Sequence, residues 1–186
     1  HIPQADLLVA LRKCKVSSTE VSWNFDEAEA DIPLSTVAPL SLRCFTDVPG
    51  LHNYSIQLDT QCIGVMDTKC IRPGLLRVYL RIFKGEHTHH GAGTKAMLYA
   101  LKDLPPGARV VLRYPEGEKH IGFFFMLTNR LGVFSRIEVA LHFHHEYTQT
   151  NNDEFLWQPV ASIEEAMKVQ AARPDKHLFV SAIIAE

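Results

Sequence analysis

The chain has 186 residues, enough for one domain with a buried core, and its 46% apolar and 22% charged residues give the balance of an ordinary globular protein rather than a disordered one. Lysine and arginine (19) nearly cancel aspartate and glutamate (21), and the formal net charge of −2 comes without any long basic run, so no sequence-independent electrostatic grip on nucleic acid is visible in these residues. No apolar stretch approaches the length that spans a bilayer, so membrane insertion is not expected; the longest, residues 121–127, is strand-sized.

In chain order, residues 5–13 are apolar with a basic end and fit a helical turn or two, or an edge strand. Residues 16–25 are rich in β-formers and predict a strand, followed by a solvated acidic stretch over 26–31. Residues 32–42 carry Pro33 and Pro39 and read as extended, irregular chain, and 46–50 end in Pro49-Gly50, a turn signal. Residues 54–58 and 62–66 are short strand candidates. Over residues 75–83, Leu76, Val78, Leu80 and Ile82 share one face while Arg77, Tyr79 and Arg81 share the other, the period of a half-buried strand.

A polar, glycine-containing tip follows, then an apolar run through Met97, Tyr99 and Leu101 that stops at Pro105-Pro106. Ala96, Met97, Ala100 and Leu101 also fit a helical face; the flanking pattern favours a returning strand. Residues 108–114 predict a strand and 115–118 a turn. Residues 120–128 are apolar on both faces, which predicts a strand deep in a sheet, and 129–132 turn again. Residues 135–145 alternate, with Ile137, Val139, Leu141 and Phe143 set against Arg136, Glu138, His142 and His144. Residues 149–153 read as a polar loop and 154–157 as a short β piece. One helix is well signed: Ser162 and Glu165 make a capping box and Pro174 sits past its end. His177–Ile184 is the last strand. Eight or nine strands separated by turns predict a mainly β sandwich or barrel.

The ten histidines cluster. His87, His89 and His90 crowd the polar tip, and His142, His144 and His145 end a strand. An i, i+2 pair on a strand points to one side, so His87 with His89, or His142 with His144, can reach one metal ion. Gly107, Pro115, Gly117 and His120 are similar to the second motif of the cupins, with His87 and His89 standing for the first. That similarity implies a metal-dependent enzyme held by His87, His89 and His120, but the acidic residue expected after the histidine pair is absent, with Lys95 and Lys102 in its stretch. His142 and His144 also fit the metal pair of rolling-circle nucleases, which need a tyrosine on a following helix; residues 163–173 contain none, and Tyr147 follows the strand too closely. No glycine-rich phosphate loop and no nucleophile elbow is read here. Glu27 with Asp31, and Glu164 with Glu165, read as solvated carboxylates. The residues at 123, 124 and 125 (all Phe) read as barrel core. Cys14, Cys44, Cys62 and Cys70 form no Cys-x-x-Cys pair and are expected as thiols, with disulfides the alternative.

The order of a small-residue pair at 73–74, a strand reading LRVYLRIF, a glycine-containing tip, an apolar return and Pro-Pro-Gly-Ala resembles the capsid proteins of picornavirus-like viruses. So do residues 5–35 as an entry arm and 121–147 as two closing strands. The resemblance implies an antiparallel eight-stranded jelly-roll barrel or sandwich with one or two short helices. It would be one domain over 1–186, with an extended arm and first strands in 1–50 and the barrel in 51–186. The implied role is structural and not enzymatic: a capsid subunit, needing no metal or other cofactor, assembling with copies of itself and sister subunits around an RNA genome that it touches weakly. The implied place is the virion, assembled in the host cytoplasm. The missing methionine at His1 and the terminal Glu186 fit release from a polyprotein; a trimmed chain explains the former equally. Besides the cupin-like enzyme, a β-sandwich interaction module of a cellular complex stays open as an alternative.

Overall fold

The computed structural model describes residues 20–23, 40–44, 48–58, 61–83, 92–115, 117–147 and 155–186. These contain strands β1 (Glu20–Trp23), β2 (Leu40–Cys44), β3 (Leu51–Leu58), β4 (Gln61–Arg72), β5 (Leu75–Ile82), β6 (Arg109–Leu112), β7 (Phe134–His142), β8 (Gln158–Val160) and β9 (His177–Ile184). Three helices join them: α1 (Ala92–Leu101), α2 (Glu118–Leu131) and α3 (Ile163–Ala172). The hydrogen-bonded order is β1-β2-β3-β4-β5-β6-β9-β7-β8, an open series with β1 and β8 at its ends. The chain is mainly β, as its strand spacing predicts. It does not close into a barrel, and its sheet is mixed: β5 and β6 pair in parallel, from Leu75 opposite Arg109 to Val78 opposite Leu112. A parallel neighbour needs a crossover connection, and the segment between the two strands contains α1.

Two segments expected as strands are helices. Residues 92–101 form α1, following the 3.6-residue period of Ala96, Met97, Ala100 and Leu101 rather than the alternation that the flanks suggested. Residues 120–128 lie within α2, and the apparent two-sided burial resolves into a stripe. Ile121, Phe124 and Leu127 are fully buried and Leu131 nearly so, while Phe123, Phe125 and Met126 beside them are half-exposed. Gly132 ends this helix in the left-handed region (φ 61°), its N–H donating to Thr128 O at 2.9 Å, and Val133 N–H reaches Leu127 O at 3.4 Å.

The chain falls into two compact units, residues 1–70 with 79–104, and 71–78 with 105–186. In the first, β1 to β4 run as an antiparallel meander, beside the Tyr79–Ile82 part of β5 and α1. The register of β3 and β4 shifts between Ile56 opposite Gly64 and Gln57 opposite Cys62, a bulge at Ile63. The strand candidates at 54–58 and 62–66 thus lie within two longer strands, the first at the end of β3 and the second in the first half of β4.

In the second unit, Leu75, Val111, Ala140, Tyr147, Phe155 and Phe179 form a buried cluster flanked by Ile71 and Trp157. Phe155 stands at its centre, tilted against Tyr147 at 5.0 Å, edge-on to Phe179 at 5.0 Å and stacked on Trp157 at 5.3 Å. Residues 137 to 140 of β7 are buried on both faces, so the predicted alternation fails there, and Phe143, beyond the strand's end, is 64% exposed. Glu138 is buried because it has partners: Arg109 at 2.9 Å and Arg136 at 3.3 Å. Arg109 also donates to Ser181 Oγ at 2.6 Å and lies over the Trp157 ring at 5.2 Å. Residues 155–157 of the expected β piece over 154–157 are not in a strand, and β8 begins just past them at Gln158. Helix α3 and strand β9 match their expectations: Ser162 Oγ accepts from Glu165 N–H at 3.1 Å, and Glu165 Oε2 accepts from Ala161 N–H at 2.6 Å. The expectations for 5–13, 26–31 and 149–153 lie outside the described residues.

Candidate functional site

In the first unit, β5 ends beside the bulge of β4, with Phe83 N–H donating to Ile63 O at 2.8 Å. The two strands approach closely there. A Cβ at Gly64 would stand 2.5 Å from the Arg81 carbonyl oxygen and 3.2 Å from the Ile82 Cα, so only glycine fits. Helix α1 begins at Ala92 and lays Gly93 against the same end of β5: a Cβ at 93 would meet Ile82 Cγ1 at 3.5 Å and Leu80 Cδ2 at 3.8 Å. Ala92, Thr94 and Lys95 in this first turn are buried. The first backbone N–H groups of a helix have no partner within it and carry a partial positive charge. No acidic side chain lies in the first turn of α1, whereas Glu118 lies in that of α2 and Glu164 and Glu165 in that of α3. The start of α1 thus offers donors and positive potential, the requirements for receiving an anion.

The other end of α1 carries a phenol pair. Tyr99 meets Tyr54 edge-on at 5.9 Å, and the Lys102 ammonium lies 5.0 Å over the Tyr99 ring while pairing with Asp103. Burial pushes the Tyr54 hydroxyl up to about 12, with Cys44 and Asp103 adding to the effect. It stays protonated at neutral pH and acts as a donor, not a base.

The histidines are less convergent than their spacing promises. His87, His89 and His90 lie outside the described residues. His120, the third member of the cupin-like set, stands in the first turn of helix α2, not on a strand. His142 and His144 share a side, as an i, i+2 pair should, but their rings stack at 4.7 Å with planes 21° apart, and His144 N–H donates to His142 Nδ1 at 3.3 Å. His145 stands edge-on to His177 at 5.7 Å. Among the described residues, no group of three or more histidine, cysteine, aspartate or glutamate side chains is arranged to hold a metal ion. Tyr147 is buried in the aromatic cluster. Glu164 and Glu165 are spent on α3, in an ion pair with Lys168 at 3.5 Å and in the cap. Phe124 belongs to a helix and packs on Phe134 at 5.1 Å. Cys44, Cys62 and Cys70 are not joined in disulfides, and Cys14 lies outside the described residues.

The residues that sequence reasoning missed are Gly91 and Gly93. Two glycines flank Ala92, where a helix between two strands begins, a placement shared with the first part of phosphate-binding turns. Reading 92–101 as a strand removed the helix that gives those glycines meaning.

No family model matches the sequence, and no curated protein matches it. Among solved structures, the chain is similar to the crystal structure of an acetyltransferase from Streptococcus agalactiae 2603. The match has 11% sequence identity and a TM-score of 0.38, and covers 73% of this chain and 67% of that one. A likeness of that degree assigns no activity.

Proposed function

We propose that this chain binds a coenzyme with a mononucleotide diphosphate, coenzyme A being the type, at the start of α1, and that it is an enzyme of acyl transfer. The observation that carries the proposal is the first turn of α1: Ala92, Thr94 and Lys95 are buried, no acidic side chain lies there, Gly91 and Gly93 flank its first residue, and the strand before it in sequence, β5, pairs in parallel with β6. Open sheets with parallel strands receive ligands outside the carboxyl ends of those strands, and a helix N-terminus there takes the phosphates. A dinucleotide needs two mononucleotide-binding halves, each with its own parallel strands. Among the described residues β5 and β6 pair in parallel while the β1–β2, β2–β3, β3–β4, β6–β9, β7–β8 and β7–β9 pairs are antiparallel, which favours one nucleotide diphosphate bearing a non-nucleotide arm. Coenzyme A has that form, and its arm carries acyl groups.

Titration calorimetry with coenzyme A, ADP, inorganic pyrophosphate and NAD tests this. Coenzyme A should bind more tightly than pyrophosphate, and NAD no better than ADP. Thr94→Glu, which sets a carboxylate in the first turn, should weaken coenzyme A by at least about tenfold, or about 1.4 kcal/mol. If the folded wild-type protein binds none of these compounds, the proposal fails. Tight NAD binding would replace acyl transfer with redox chemistry.

The shell-subunit reading keeps one support: Leu75–Ile82 is a strand with two faces, in a mainly β chain. A jelly roll asks for antiparallel strands closed into a barrel, and the parallel pair and open order weigh against it. Its partners, sister subunits and an RNA genome, belong to that reading. Particles or pentamers on sizing and electron microscopy would restore it.

A further inference from the structure

We draw no further inference here: the strongest candidate, the histidine cluster where β7 ends and β9 begins (His142, His144, His145 and His177), has rings that stack or meet edge-on instead of converging on a metal ion, and a pH response drawn from it would rest on the flanking residues 148–154, which lie outside the described ones.

Discussion

At Gly64 one missing carbon atom sets how closely two strands approach. The clash that a Cβ would make is with backbone, the Arg81 carbonyl, and backbone cannot turn aside as a flexible side chain can. Gly64→Ala should therefore cost about 2–3 kcal/mol, the upper part of the range for overpacking, in urea unfolding. A loss under about 0.5 kcal/mol, the level of a neutral surface change, would mean that β4 and β5 stand further apart than this. Tyr54 makes a pH prediction. Its hydroxyl titrates near the ordinary tyrosine value of about 10 in the unfolded chain and at about 12 in the fold. A raised pKa means that folding favours the protonated form. The resulting stability is whole below about pH 10 and is lost as pH climbs through about 12. Discounted for partial exposure, it is on the order of 1 kcal/mol. Tyr54→Phe should lose less stability than wild type between about pH 9 and about pH 12. Equal losses would show that this hydroxyl carries no shift.

Elements were legible where local chemistry alone decides them. The cap of α3 is one case: Ser162 and Glu165 lie three residues apart, and their bonds form whatever the rest of the chain does. Ser162→Ala should cost about 1 kcal/mol in chemical denaturation. A loss near zero would show that Glu165, through Ala161 N–H, holds the helix start by itself. Strand β5 was legible for a similar reason, since alternation from Leu76 to Ile82 leaves little choice, and β9 was legible as a short apolar run between turn residues and the chain's last residues. The starts of α1 and α2 were not. Their apolar residues fit both periods, and what decides between them is non-local. The partner of Val78 is Leu112, 34 positions on by number, in a parallel register that forces a crossover. Glu138 was misplaced for the same kind of reason. Alternation along β7 puts it on the polar face, but its burial depends on Arg109 from β6 and Arg136 from β7. Removing one member of such a group strands the others, so Glu138→Ala should cost about 3 kcal/mol. Arg136 is mostly exposed and Arg109 partly so, which places the figure at the low end of the range for buried pairs. Thermal unfolding of this variant beside Arg136→Ala checks the assignment: the first should fall well below the second.

For the molecule as a whole, composition and strand spacing settled that the chain is mainly β and left open whether its strands close on themselves. An open mixed sheet and a closed antiparallel barrel draw on the same residue types. They differ in which strand neighbours which, and that order is written in pairings across tens of residues. The candidate site shared this fate, because Gly91 and Gly93 bear on a ligand only when a helix begins between them. A ligand held there stabilises the fold by mass action. At one hundred times its dissociation constant, coenzyme A should add about 2.7 kcal/mol. For a chain of this size that raises the melting temperature by roughly 5–10 °C. Much of the gain comes from phosphate charge at a helix end, so it should shrink as salt rises from about 0.1 M to about 1 M, where the screening length falls from about 10 Å to about 3 Å. Thr94→Glu, if it melts with the unliganded wild type, should show almost no ligand shift. A rise of the same size in that variant would place the ligand somewhere other than the start of α1, and a rise indifferent to salt would mean that the phosphates are not what the protein holds.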